Sequence, residues 1–206
     1  MSESPANWMP NVSRETQDRL TEYVQLLVKW NQRINLIGRA TEAQIWDRHI
    51  KDSVQVHDLA PKNTSIWADL GAGGGLPGIV VAILLSETQP QASVQLVESD
   101  LRKATFLREC VRLFGLSARV HSARIEQMEP IGAYVLSARA LAPLSDLCGF
   151  AARHLRQDGT AIFPKGEKWQ DEVEQARREW AFSLASVAST TSPHSAVLLL
   201  KDIRHV

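Results

Sequence analysis

Ala68-Asp69-Leu70-Gly71-Ala72-Gly73-Gly74-Gly75-Leu76-Pro77-Gly78 decides how this chain folds. The run Ser65–Leu70 before it alternates apolar residues as a strand does. Ile79–Leu85 after it is an unbroken apolar run of the kind found in buried helices. A strand turning through glycines into a helix N-terminus is how α/β proteins seat a nucleotide-like ligand. Glycine permits the torsions the turn needs, and a bare backbone lets the ligand come close.

Working outward, strands and helices alternate. Strands are expected at Ser65–Leu70, Ser93–Glu98, Ala118–His121, Ala133–Ser137 and Thr160–Pro164, with helices at about Pro77–Glu87, Asp100–Phe114 and Pro143–Arg156. Asp100 suits a helix N-cap and Gly115 a helix C′ position. A polar helix, Glu167–Trp180, leads into Ala181–Ala188 and Ser195–Ile203, two runs that could pair antiparallel at one end of the sheet. Such alternation argues a mostly parallel sheet with helices on both faces. Upstream, Ser13 can cap a helix running to about Asn35. Thr41-Glu42-Ala43-Gln44 has the capping-box form and should start a second helix ending near Asp58. Residues 1–62 thus read as an N-terminal helical extension and 63–206 as the ligand-binding domain.

The chain has 206 residues, 44% of them apolar, enough for one α/β domain with a sizeable core. Its two cysteines lack paired spacing, and its histidines are too scattered to ligate a metal, so neither a disulfide framework nor a metal site is expected. No apolar run is long enough to span a bilayer and no secretory signal is visible, so a cytoplasmic protein is expected. A net charge of zero argues against a general nucleic-acid binder. From Arg102 to Arg124, however, six Lys/Arg face one acidic residue. A solvated helix face explains that strip, and so does contact with phosphates.

Gly73 to Gly78 satisfies G-x-G-x-x-G, but a dinucleotide loop places its first glycine directly after the strand. Counted from Gly71, the third glycine would fall at Leu76. A smaller ligand with no pyrophosphate, S-adenosylmethionine, suits the loop better. Glu98, 27 residues beyond Gly71, closes the second strand, where a carboxylate can accept hydrogen bonds from ribose hydroxyls. Asp69 could order the loop through backbone N–H groups or face the cofactor's amino group. Arg139 closes the fourth strand, where its guanidinium would enter the crevice to orient a guanine edge or hold a carboxylate. Ser122–Glu126 would pass the adenine, with Ile125 against the ring. His49, Asp52 and Ser53 share one short helical stretch and read as intrahelical pairs, Arg48 with Asp52 and His49 with Ser53. No Pro-Cys pair and no Asn-Pro-Pro or Asp-Pro-Pro tripeptide occurs, which weakens pyrimidine-carbon and exocyclic-amine methylation.

Several segments together resemble the RsmG (GidB) family of small-subunit ribosomal RNA methyltransferases. They are Trp30–Leu36, Arg48-His49-Ile50-Lys51-Asp52-Ser53, Asp69–Gly78, Val97-Glu98-Ser99, Lys103 with Phe106-Leu107, Ser122–Glu126, Ser137–Ala140 and Lys165-Gly166. The resemblance implies a class I, Rossmann-like methyltransferase fold with a mostly parallel seven-stranded sheet. It implies methylation of N7 of a single guanine, guanine 527, in 16S ribosomal RNA. Cofactor positions would be Asp69, Gly71, Gly73, Gly75, Leu76, Glu98, Ile125, Glu126 and Arg139. Arg139 and Lys165 would serve catalysis, and Asn35, Arg48, His49, Lys103 and Arg124 would contact RNA. The partner would be 16S ribosomal RNA or the small ribosomal subunit, the protein a monomer, with neither membrane nor metal involved. Guanine N7 carries a free lone pair, so in-line positioning suffices and no general base is needed. A methyltransferase for a non-RNA acceptor, or a non-catalytic RNA- or cofactor-binding module, would use the same scaffold.

Overall fold

The computed structural model describes Met9 and residues 12–206. The expected N-terminal extension therefore begins partly outside the described residues, at 1–8, 10 and 11. Seven strands form one sheet: β1 (Ile66–Leu70), β2 (Ser93–Val97), β3 (Ala118–His121), β4 (Ala133–Ser137), β5 (Leu155–Lys165), β6 (Trp180–Ala188) and β7 (Ala196–His205). Their order is β3-β2-β1-β4-β5-β7-β6. The first five run parallel, and β7 lies antiparallel between β5 and β6. This is the mostly parallel, seven-stranded Rossmann-like sheet expected above, with the C-terminal hairpin at one end.

Helices cover both faces. On one side lie α1 (Arg14–Asn31), α2 (Lys51–Asp58), α3 (Gly78–Thr88) and α4 (Leu101–Leu113), and on the other α5 (Leu144–His154) and α6 (Trp169–Ala176). Strand pleating sorts β1 between the two cores: Trp67 packs with the first group, Ala68 and Leu70 with the second. Leu20, Tyr23 and Leu27 of α1 are fully buried in the same core as Ile79, Val80 and Ile83 of α3. The N-terminal helices are thus a layer of the molecule's main core. Among the described residues no helix is long and apolar enough to cross a membrane.

Several local expectations hold. Ser13 Oγ accepts from Thr16 N–H, and Asp100 Oδ1 accepts from the N–H groups of Arg102 and Lys103. Gly115 takes φ +60° and the following Leu116 N–H bonds Val111 O, closing α4 in a Schellman turn. Others are corrected. The first helix stops at Asn31, because its buried side chain accepts from the N–H groups of Leu36 and Ile37 and turns the chain. The capping box does not form: the helical turn already starts at Arg39, and the Thr41 hydroxyl meets Gly38 O and His49 Nε2. The segment runs instead as a 3₁₀ turn (Arg39–Gln44) and a π turn (Ile45–Ile50) before α2. The fifth strand starts at Leu155, which pairs with Ala133 across a bulge, and so cuts short the helix expected to Arg156. The polar helix spans only Trp169–Ala176, since Trp180 is already paired with His205.

Candidate active site

At the carboxyl end of β1 the chain enters the glycine loop. Gly71, Gly73 and Gly75 all have positive φ, at 66°, 53° and 83°. At Gly71 a Cβ would come within 2.6 Å of Leu141 Cδ1, and at Gly75 within 2.4 Å of Ile79 Cγ1. Side chains are thus excluded here by torsion and by space alike. Beneath the loop Asp69 is buried. Its Oδ2 accepts from Gly78 N–H at 3.0 Å and its Oδ1 from Ser137 Oγ–H at 2.7 Å. Ser137 Oγ in turn accepts from Trp67 Nε1–H at 2.9 Å. Of the two roles foreseen for Asp69, loop ordering is the one its bonds perform. Burial is the largest influence on its carboxyl, pushing the pKa up to about 7 against the pull of these hydrogen bonds.

Above the loop lies a cavity of about 480 Å³, walled by Gly71, Gly73, Glu98, Lys103, Arg124, Ile125, Glu126, Leu141 and Asp146, among others. Glu98 is buried at the end of β2 and its two oxygens take different amides. Oε2 accepts from Gly73 N–H at 2.8 Å and Oε1 from Asp100 N–H at 2.8 Å. Each carboxylate oxygen keeps a further lone pair. A Cβ built on Gly73 meets only Gly71 O, at 3.7 Å, so the bare backbone faces open space. A buried acid at the strand end beside a side-chain-free loop fits the adenosine of S-adenosylmethionine.

A second cavity, of about 370 Å³, adjoins the first at Ala140, which lines both. Ala140 has φ +52°, a left-handed turn that costs a non-glycine residue about 1 kcal/mol. That turn sends Arg139 to the second cavity and Leu141 to the first. Arg139 shares the second wall with Arg48, Asp52, Lys165, Glu172 and the β6–β7 loop at Thr191. Its Nη1 donates to His49 Nδ1 at 3.0 Å and lies 3.9 Å from Asp52 Oδ2, while Asp52 Oδ1 accepts from Thr191 Oγ1–H. Lys165 Nζ bonds Glu172 Oε2 at 2.5 Å and Ala142 O at 3.1 Å, so one of its three donors is left for the cavity.

The structure distributes the expected site residues between the two cavities. Arg139 lines the second cavity, where His49 and Asp52 hold it, and not the first. Gly75 and Leu76 do not line it either: Leu76 is buried and Gly75 packs against Ile79. Lys103 and Arg124, expected to meet RNA, line the first cavity beside Glu98. His49 turns inward, with Nε2 2.9 Å from Thr41 Oγ1 and Nδ1 on Arg139. Asp52 pairs with Arg139 in place of the expected Arg48, and Ser53 Oγ bonds the His49 carbonyl, not its ring. The segment Ile45–Ile50 is a π turn, and of the pairs four apart it is Asp47 with Lys51 that forms an ion pair there. Arg48 and Asn35 are exposed. Asp52 was read from the Arg48–Ser53 motif only as a partner of Arg48, while Thr191, Glu172 and Tyr23 were not singled out, the hydroxyl-rich stretch Ser189-Thr190-Thr191-Ser192 being the signal for Thr191.

Residues 16–200 match the model of the GidB family, described as rRNA small subunit methyltransferase G. The chain belongs to this family. A curated relative from Ruegeria, named ribosomal RNA small subunit methyltransferase G, is 48% identical over 206 residues, all of both chains. Similarity to solved structures extends the fold beyond the family. A putative O-methyltransferase from Klebsiella pneumoniae superposes with TM-score 0.63 at 12% identity, over 96% of this chain and 94% of that one. A SAM-dependent methyltransferase from Aquifex aeolicus gives 0.59 at 9% identity, over 86% and 97%. The fold is therefore that of class I S-adenosylmethionine methyltransferases, and the family match sets this member among those for small-subunit ribosomal RNA.

Proposed function

We propose that the chain transfers the methyl group of S-adenosylmethionine to N7 of a single guanine in 16S ribosomal RNA, at position 527. The observation that carries this reading is the acceptor cavity's lack of an available base. Asp52 is engaged by Thr191 and Arg139, Glu172 by Lys165 and the Leu144 N–H, and His49 has both ring nitrogens occupied. Burial, with Arg139 and Arg48 nearby, lowers the His49 pKa to about 4, so its ring is neutral at pH 7. An acceptor that must lose a proton would find each of these groups already bonded. Guanine N7 has none to lose.

S-adenosylmethionine supplies an electrophilic methyl on a sulfonium centre. The glycine loop leaves room for it, Glu98 accepts from its ribose hydroxyls, and Ile125 and Glu126 border the adenine. Lys103 and Arg124, on the same wall, offer positive charge to its carboxylate. Across Ala140, the Arg139 fork orients the guanine edge, with Lys165 beside it. Bringing N7 into line in a site screened from water supplies most of the acceleration. Arg48 and Asn35 meet RNA phosphates at the rim.

Labelled methyl transfer to small subunits from cells lacking this protein, with nuclease mapping, tests the reading. Label on one guanine is expected. Label on protein or on no RNA, with cofactor binding intact, overturns it in favour of another acceptor.

A further inference from the structure

The hydrogen bonds behind Arg139 run in one direction only. Arg139 has donors and no acceptor, so the His49 nitrogen 3.0 Å from its Nη1, Nδ1, must be bare. A neutral ring then carries its proton on Nε2, and that N–H meets Thr41 Oγ1 at 2.9 Å. Thr41 can receive it because its own hydroxyl hydrogen goes to Gly38 O, 2.9 Å away. The chain ends on a carbonyl, which can only accept. The unusual path of the segment serves this arrangement: the 3₁₀ turn brings Thr41 over the π turn that carries His49.

We infer that Thr41 is a positioning residue: by fixing His49 as its Nε2–H tautomer, it holds Arg139 aimed into the acceptor cavity. The alternative tautomer would set an N–H against the guanidinium and release it. With His49 neutral, Asp52 is the carboxylate nearest Arg139, and at 3.9 Å it leaves the fork free to bond an acceptor's oxygen or nitrogen. Thr41 touches neither cavity wall, so its effect passes wholly through His49. The kinetic part of this inference rests on the ribosomal RNA reading above; the tautomer does not.

Two-bond proton–nitrogen correlation spectra of the histidine rings in the full chain read the tautomer directly. Wild-type His49 should show a protonated Nε2 and a bare Nδ1 near neutral pH. Thr41→Val should mix the tautomers and lower kcat by about tenfold, the worth of one net hydrogen bond, with KM for S-adenosylmethionine unchanged. Thr41→Ser should restore both the spectrum and the rate. A proton on wild-type Nδ1, or on both nitrogens, overturns the inference, and so does a Thr41→Val enzyme with a lower melting temperature but full kcat. Should Thr41→Val fail to fold, the wild-type and Thr41→Ser spectra still decide. Failure of the wild type to methylate ribosomal subunits would strike the proposed function, and the spectrum would test the tautomer lock regardless.

Discussion

The Tyr23 hydroxyl donates to the Gly74 carbonyl at 2.6 Å, tying the first helix to the crest of the glycine loop. Tyr23 is fully buried, and burial raises its pKa above the ordinary 10, so it remains a donor throughout the working range. The loop is held from a second direction, because a Cβ on Gly74 would approach Leu36 O to 3.1 Å. The N-terminal helices therefore act as a clamp on the cofactor loop. Tyr23→Phe keeps the packing and strands a buried carbonyl, a loss of about 1–3 kcal/mol. Expected are a lower melting temperature and several-fold weaker S-adenosylmethionine binding by calorimetry. Full affinity in a destabilised variant would show that the clamp serves folding alone.

Asp69 should give the fold a distinctive pH dependence. Its folded pKa of about 7 lies above the ordinary 3.8, chiefly through burial. The folded state thus keeps its proton over a range where the unfolded chain has lost it. Stability should fall as pH rises from about 4 to about 7, by at most about 1.4 kcal/mol per pH unit from this group, and then level off. Asp69→Asn keeps an acceptor for Gly78 N–H and has no proton to lose. Denaturant titrations at several pH values should show the wild-type curve descending relative to the variant across that window. Parallel curves would assign the slope to other groups.

Glu98 holds two amides and, in the proposed function, the ribose of the cofactor. Glu98→Ala frees the N–H groups of Gly73 and Asp100 and removes the acceptors for the sugar, whereas Glu98→Gln keeps one carbonyl oxygen. The expected order of S-adenosylmethionine affinity is wild type, then Gln, then Ala, with Ala weaker by about 100-fold if two charge-assisted bonds are lost. Equilibrium binding with S-adenosylhomocysteine as a second ligand checks it. Equal losses for both ligands place the effect on the shared adenosine, and a loss confined to one would move Glu98 away from it.

Much of this was legible because it is local. Gly71 to Gly78, the Asp100 cap and the Gly115 stop are decided by torsions and short-range hydrogen bonds, which a sequence displays directly. The mostly parallel sheet followed from alternation. What escaped was set by distant partners. Nothing near Asp52 in sequence points to Thr191, 139 residues away. The capping-box pattern at Thr41 was real as a pattern and lost to a tertiary demand, since its hydroxyl meets His49. Arg139 was expected in both the cofactor and the catalytic set, and its place on the second cavity's wall was hidden because the turn at Ala140 that divides the cavities needs a positive φ that alanine does not advertise.

Arg139 carries the sharpest functional test. Its side chain is largely buried, 18% exposed, with His49 and Asp52 behind it and the acceptor cavity in front. It lines no part of the cofactor cavity. Arg139→Ala should therefore reduce methyl transfer to small subunits by at least about 100-fold, as loss of a bidentate guide would, and leave S-adenosylmethionine affinity within about twofold. Arg139→Lys separates charge from shape. An ammonium can keep the bond to His49 Nδ1 or reach the base, but it has no rigid fork to do both at once. It should recover a small part of the lost rate and bind the cofactor normally. Wild-type turnover in either variant would remove Arg139 from the mechanism. Lost cofactor binding in Arg139→Ala would instead return it to the wall from which the structure separates it.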